Sequence, residues 1–248
     1  MPDTRRHRGA HPQDRRLFAA EALDDLRHAV EDLSLLLSRG YSKVSALKLV
    51  GDRFQLSSRQ RDAVRRSSCP DGSLEGRRSR RRTAEEIRGG SLYIDGYNLL
   101  ICVESALAGG VVLEGRDGCF RDLASLHGSY RRVEETLPAF LLIGESLTEL
   151  APRSVVWYFD APVSNSGRLV KLLRDVATER GWPWTAELLA DPDAALSACG
   201  ELVASSDSVI LDQCRAWFPL SRQIVATRVP DAWVVSLAAG DHHDPSGP

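Results

Sequence analysis

The chain has 248 residues, 43% hydrophobic and 27% charged, with a formal net charge of −2. That suits one large globular domain, or one medium and one small. No apolar run reaches the roughly 18 residues that span a bilayer. The N-terminus MPDTRRHRGAHPQDRR leads into no apolar stretch of a signal peptide. Five cysteines (Cys69, Cys102, Cys119, Cys199, Cys214) form no C-x-x-C pair and read as reduced thiols. Membrane and disulfide-built classes are set aside, and a cytoplasmic protein is expected.

Charge is unevenly spread. Residues 1–90 hold 20 Lys+Arg against 13 Asp+Glu, and residues 91–248 hold 12 against 21. A basic front half suits contact with a polyanion. Arginine supplies nearly all of it, which favours phosphate recognition and equally reflects GC-rich coding. An acidic back half either solubilises the surface or gathers carboxylates for a metal.

Residues 1–14 lack any period and are expected to form a disordered tail. Over 15–39, Leu17, Ala20, Leu23, Leu26, Val30, Leu33 and Leu37 recur at helical spacing, with Gly40 as a stop signal. A second helix is expected over 42–53. A third starts at Ser57, where Ser57-x-x-Gln60 fits a capping box, and ends near Ser68. Residues 15–69 thus read as a basic, helix-turn-helix-like domain. Arg59, Arg61, Arg65 and Arg66 on its last helix would lie against a nucleic-acid backbone or stay solvated on a docked bundle. Residues 70–90, with Arg77, Arg78, Arg80, Arg81 and Arg82, read as an Arg-rich linker.

From residue 91 to 238, strand and helix signals alternate, which predicts an α/β domain with a mainly parallel sheet and helices on both faces. Strands are expected at 92–94, 154–159, 184–189, 201–204, 223–226 and 233–237, with a minor one at 111–113. Helices are expected after the first strand, over 115–150 with a break near Pro138, and over 168–180, 192–199 and 208–214. Residues 239–248 form a flexible tail.

Asp95, Asp160, Asp191 and Asp207 each follow an expected strand. In an open α/β sheet that places them at the carboxyl edge, where ligand sites form. Carboxylates gathered there repel one another and take up protons or bind a cation. Oxygen ligands without His or Cys suit Mg2+ or Mn2+, ions that activate water and orient a phosphodiester. Asp193 and Asp212 are second-tier candidates. Every one of the four also precedes a helix, where Asp is a favoured N-cap, and Asp191 before Pro192 fits that role closely. Asn98 and Ser166 are candidates to position water or phosphate. Asn165, Ser166 and Arg168, at a helix start, are candidates to bind substrate. So are Arg116 and Arg131, from a polar segment that includes Asp117, His127, Ser129, Tyr130 and Arg132.

The stretches YIDGYNLL, VVWYFD, ELLADPD and VASSDSVI resemble the motifs of the PIN-like nuclease superfamily, in particular its NYN branch, over roughly residues 92–237. The motifs fall on Asp95 and Asn98, on Asp160, on Asp191 or Asp193, and on Asp207. The whole chain is similar to an uncharacterised prokaryotic family in which a small helical domain precedes such a domain. The resemblance implies a flavodoxin-like sheet with clustered acids and cleavage of RNA with Mg2+ or Mn2+. Asp95, Asp160 and Asp207 would hold the metal, with Asp191 or Asp193 as outer ligand or base. The 115–132 segment has no counterpart in that pattern.

The expectation is therefore a metal-dependent nuclease that hydrolyses RNA phosphodiesters, with nucleic acid (RNA before DNA) as partner, no membrane partner, and a homodimer allowed. Two readings compete. One is a non-catalytic nucleic-acid-binding or regulatory protein with a degenerate PIN-like domain. The other is a small-molecule phosphohydrolase, weakened because Tyr97 stands two residues after Asp95 where a haloacid-dehalogenase-like enzyme needs a second Asp. No G-x-G-x-x-G loop and no Gly-Lys-Ser/Thr loop is present.

Overall fold

A computed structural model describes residues 8–124 and 128–238. The helices α1 (Asp14–Leu17), α2 (Ala20–Ser38), α3 (Lys43–Arg53), α4 (Ser58–Ser67) and α5 (Asp71–Arg80) come first. Helix α2 buries Leu26, Ala29, Val30 and Leu33 along one stripe. Helix α4 carries the expected capping box between Ser57 and Gln60. The rest of the chain alternates: β1 (Ser91–Asp95), α6 (Gly96–Leu107), β2 (Val112–Glu114), β3 (Phe120–Asp122), α7 (Thr136–Leu150), β4 (Ser154–Asp160), α8 (Ser166–Arg180), β5 (Trp184–Leu189), α9 (Pro192–Ser197), β6 (Leu202–Ala204), α10 (Ser208–Gln213), β7 (Ala216–Trp217), α11 (Leu220–Arg228) and β8 (Val234–Ser236).

The main sheet has the order β5-β4-β1-β6-β7 and is parallel throughout. Side chains alternate between its faces. Leu92, Ile94, Val155, Trp157 and Phe159 pack under α6, α7, α8 and α11. Tyr93, Tyr158, Val203 and Trp217 face α9 and α10 on the other side. The fold is α/β and flavodoxin-like in its layering, as expected. The chain builds outward from β1 through β4 to β5, then returns to place β6 on the far side of β1. The switch point where ligands collect in such sheets therefore lies between β1 and β6.

The helical front packs against the rest of the chain. Leu26, Val30, Ala46, Val50 and Val64 share one core with Val111, Leu113, Leu123, Val235 and Leu237. Those last residues belong to or flank a second sheet, β3-β2-β8, with β2 antiparallel to β3 and parallel to β8. The α4 arginines are largely consumed by this docking. Arg59 pairs with buried Asp14 (Nη2 to Oδ2, 2.7 Å). Arg61 donates to the Leu56 carbonyl (2.9 Å) and to Asp52 (2.8 Å). Arg66 donates to the carbonyls of Asp122 (3.0 Å) and Ala124 (3.3 Å).

Several expectations are corrected. Residues 71–80 are helix α5, not linker, because Arg77 has distant ionic partners that local composition does not display. The expected helix over 115–150 is a β2–β3 hairpin followed by α7 only from Thr136. Gly118, at φ +73, turns the hairpin. Residues 223–226 lie inside α11, where Ile224 and Val225 are buried and packing overrides their β preference. Strand β8 joins the second sheet rather than the parallel one. The ordered chain begins before residue 15, within the expected tail: Arg8 pairs with Glu104 (2.9 Å). Residues 1–7 and the expected 239–248 tail lie outside the described residues, as does His127. No helix among the described residues is long and apolar enough to cross a membrane.

The two halves are joined by a buried ion network. Asp117, in the hairpin turn, accepts from Arg77 Nη1 (2.5 Å) and from both Arg121 terminal nitrogens (2.8 and 2.6 Å). Arg77 is 2% exposed and also pairs with Asp212 (2.7 Å). Burial alone would raise the Asp117 pKa. The charge and hydrogen bonds of Arg121, with the charge of Arg77, outweigh burial and hold it well below the usual carboxylate range. A carboxyl depressed on folding adds stability above its unfolded pKa and loses it as pH falls through the folded one. Asp117→Asn leaves two buried guanidiniums short of a counter-charge and is expected to cost about 3–5 kcal/mol, measured by chemical denaturation at neutral pH. The gap to the natural protein should narrow as pH falls below 3.8, the ordinary aspartate value.

Candidate active site at the carboxyl edge

Asp95 ends β1, and Gly96 begins α6 without a loop between. The glycine is needed for packing: a Cβ there would lie 2.4 Å from the Phe159 ring. The turn is therefore pressed against β4, and Asp95 is held buried at the switch point. Ser205 Oγ donates to Asp95 Oδ2 (2.7 Å) and accepts from the Asp207 backbone N–H (2.9 Å). Ser206 donates to Asn98 Oδ1 from its backbone N–H (2.9 Å) and its hydroxyl (2.7 Å). Two adjacent serines thus lock the β6–α10 loop onto the start of α6. This brings Asp95, Asn98 and Asp207 together, as the sequence motifs imply.

Burial raises the Asp95 pKa to about 7. The Ser205 hydrogen bond opposes this, and the charges of Asp193 and Asp207 reinforce it. Asp193 is raised by burial and then by Asp207, Asp160 and Asp191. Asp160 is raised by burial and by Asp191. The acid edge therefore has two lobes. Asp95 and Asp207 make one, Asp160 and Asp191 the other, and Asp193 senses both. The β-register explains the split: Asp95 lies opposite Tyr158, so Asp160 projects two residues farther along β4.

Beside Asp207 lies a mixed-charge cleft. Its volume is about 380 Å3, and it is lined by Asn98, Ser206 and the acids Asp122 and Asp207 together with Lys43, Arg65, Arg66 and Arg121. Lys43 and Arg65 come from the helical front. The Lys43 pKa is lowered by burial and by Arg65, while Asp207 opposes the shift. Sequence reading missed Lys43, Arg121 and Ser205. Only the Ser205-Ser206-Asp207 run carried any signal for the last.

Other candidates are placed elsewhere or already engaged. Asp191 caps α9 by accepting from the Ala194 N–H (2.9 Å), the alternative its Pro192 neighbour suggested. Asp207 also caps α10 through Val209 N–H (2.7 Å). Asp212 is tied to Arg77. Arg116 is already engaged: its guanidinium holds the Cys69 carbonyl (2.9 Å) and Asp71 (2.6 Å). The buried Ser166 hydroxyl donates to the Asp160 carbonyl (2.7 Å) and meets Tyr97 Oη (2.7 Å), so it positions the β4–α8 loop instead of a phosphate. Asn165 Nδ2 donates to the Tyr130 carbonyl (3.0 Å). Arg131, Asn165 and Arg168 do share a cleft, beside Arg132.

The donor chemistry fits a hard divalent cation: oxygen ligands only, with neighbouring acids adding to the raised pKa of Asp95, Asp160 and Asp193. Among the described residues no three His, Cys, Asp or Glu side chains converge into a metal-holding group. Mg2+ is commonly held by one or two carboxylates, waters and substrate phosphate.

Residues 84–223 match the family described as "Domain of unknown function (DUF5616)", and residues 25–80 match "Protein of unknown function (DUF434)". An uncharacterized protein of Methanocaldococcus jannaschii is 31% identical over 186 residues, which cover 75% of this chain and 88% of the relative. No solved structure matches. With the match spanning both lobes of the acid edge and the switch-point motifs, the chain belongs to the DUF5616 family.

Proposed function

We propose that this protein is a metal-dependent nuclease that hydrolyses RNA phosphodiester bonds in the cytoplasm. One observation carries the reading: next to the buried acid at the switch point, Asp207 and Asn98 line a cleft that Lys43, Arg65 and Arg66 also line. Acids alone would repel a polyanion, and the Lys43 and Arg65 charges offset that repulsion. Asp95 and Asp207, with Asp193, are the residues to hold Mg2+ or Mn2+, which when bound supplies an activated water and neutralises charge on the phosphate. Ser205 orients the Asp95 carboxylate. Asn98, with its oxygen held by Ser206, is left to direct its amide N–H groups at a phosphate oxygen. Lys43 and Arg65 seat the flanking backbone. Five free cysteines, four of them buried, suit a reducing compartment. A second reading, binding without cleavage, is favoured by the lack of a converged three-acid group among the described residues.

Labelled single-stranded RNA and DNA incubated with Mn2+, Mg2+ or EDTA should yield metal-dependent products with RNA, reduced at least about 100-fold in Asp95→Asn. Equal background in both proteins, with RNA retained in a gel shift, would replace the nuclease by the binding reading. Ser205→Ala is expected to lower cleavage by about 10–100-fold by releasing the ligand it orients. Lys43→Gln should raise KM several-fold with little change in kcat, since it touches substrate away from the reacting centre. Asp191→Asn preserves the α9 cap and should cleave at close to the natural rate; a loss as deep as that of Asp95→Asn would return Asp191 to the catalytic set.

A further inference from the structure

A second cleft, about 350 Å3 in volume, opens where the segment after the β2–β3 hairpin meets the start of α8. Arg131, Arg132 and Arg168 line it together with Tyr130 and Asn165. No carboxylate is among its lining residues, although this half of the chain carries an excess of acids. Arg132 and Arg168 are exposed on this concavity, so their guanidinium charge can attract an anion.

The cleft is built rather than incidental. The Ser164 N–H donates to the Gly128 carbonyl (3.1 Å), and the Tyr130 N–H to the Ser164 carbonyl (3.1 Å). Asn165 Nδ2 completes the clasp on the Tyr130 carbonyl. The Tyr130 ring is 1% exposed, and its hydroxyl is bound to buried Glu104 and to Thr136 Oγ1 (2.8 Å). Glu104 also holds Arg8 (2.9 Å). Arg131 and Arg132 therefore follow directly from an anchored residue. The first backbone N–H groups of α8 do not supply the site: those of Ser166, Arg168 and Leu169 already bond Val163 and Asn165 carbonyls. Guanidinium charge does. Leu169 and Leu172 form an apolar wall beside it, suited to a ribose or base face.

Position decides what the anion belongs to. Helix α8 follows β4, so this cleft flanks the Asp160 lobe, whereas the Lys43–Arg65 cleft flanks Asp207 beyond β6. A strand laid across the carboxyl edge meets arginines, acids, then basic residues again. A free phosphate or a mononucleotide fills only one end.

We propose that the Arg131–Arg132–Arg168 cleft is a second phosphate subsite, which holds a phosphate of a single-stranded polynucleotide at a distance from the group at Asp95. The inference rests on the nuclease reading for the role of the acids, but not for the binding itself.

The test uses the full chain and a fluorescein-labelled oligouridylate in EDTA, which blocks turnover. Anisotropy titrations over a salt series compare the natural protein, the double variant Arg132→Gln/Arg168→Gln, and Lys171→Gln. Lys171 lies on α8 outside the cleft, paired with Asp175. The double variant should bind at least about tenfold more weakly, with the log K against log salt slope shallower by about 0.7 for each phosphate that is no longer neutralised. Lys171→Gln should match the natural protein. Unchanged affinity and slope in the double variant, or an equal loss in Lys171→Gln, overturns the subsite. Repeating the titration with 5′-phosphorylated and 5′-hydroxyl probes identifies the source. A 5′-phosphate preference that the double variant loses marks a terminal monoester; equal binding of both probes, weakened equally, marks an internal diester. Metal-dependent cleavage with normal binding in the double variant sinks the subsite and leaves the nuclease standing. Arginine-dependent binding without cleavage does the reverse.

Discussion

The molecule turns on one carboxylate. Asp117 sits in a short hairpin turn and is held by two arginines, Arg77 from α5 and Arg121 from β3. Arg121 reaches on to the Ser206 carbonyl (2.7 Å), and Arg77 to the Ser208 carbonyl (3.3 Å) and to Asp212. The indole of Trp217 in β7 donates to the Arg77 carbonyl (2.8 Å). Segments from distant parts of the chain meet at one buried charge. Buried ion pairs are a weak source of stability, because desolvation offsets most of the attraction. Their effect here is positional: guanidinium forks accept few geometries, and these fix the loop that carries Ser205, Ser206 and Asp207.

The acid edge inherits its geometry from that arrangement. The loop after β6 is gripped from below by Arg121 and Arg77, and from the side by the serines that reach Asp95 and Asn98. Asp95 is thus held in a setting where burial and neighbouring acids push its pKa to about 7. Such a setting favours the protonated form of Asp95. The second sheet matters for the same reason. Its strand β3 supplies Arg121, and its apolar face docks α2, α3 and α4 so that Lys43 and Arg65 stand over Asp207.

Much of the main sheet was legible in the sequence because its strands are apolar runs ending in turn signals. SLYID, SVVWYFD and WTAELL announce themselves, and the acids that follow fall where a parallel sheet must put them. The failures share a cause. RRSRRR looks solvated by composition, yet Arg77 is buried because its partners lie 40 and 135 positions away. GRDG looks like a helix start, yet Asp117 is an ion-pair hub for the same reason. QIVA reads as strand in isolation but is helical against the core. Local periodicity carries no record of long-range charge pairing, and the basic residues of the cleft come together only through such pairing and the shared core. Ser166 and Arg116 were misplaced for the converse reason: polar residues at a promising position found hydrogen-bond partners within the fold first.

In the proposed nuclease, the layout gives a helical segment a role beside an acidic α/β unit. On its own, the carboxyl edge from Asp160 to Asp207 presents several acids and would repel a phosphate backbone. Electrostatic attraction in such a cleft depends on the sum of charges around it, and low-dielectric walls strengthen each of them. The front half contributes its arginine excess in two ways. Arg77 neutralises Asp117 and fixes the loop, while Lys43 and Arg65 face Asp207 directly. In the proposed subsite, the α/β unit contributes Arg132 and Arg168 at the other end of the edge. The helical part is joined to the α/β unit by a common core and a common charge network.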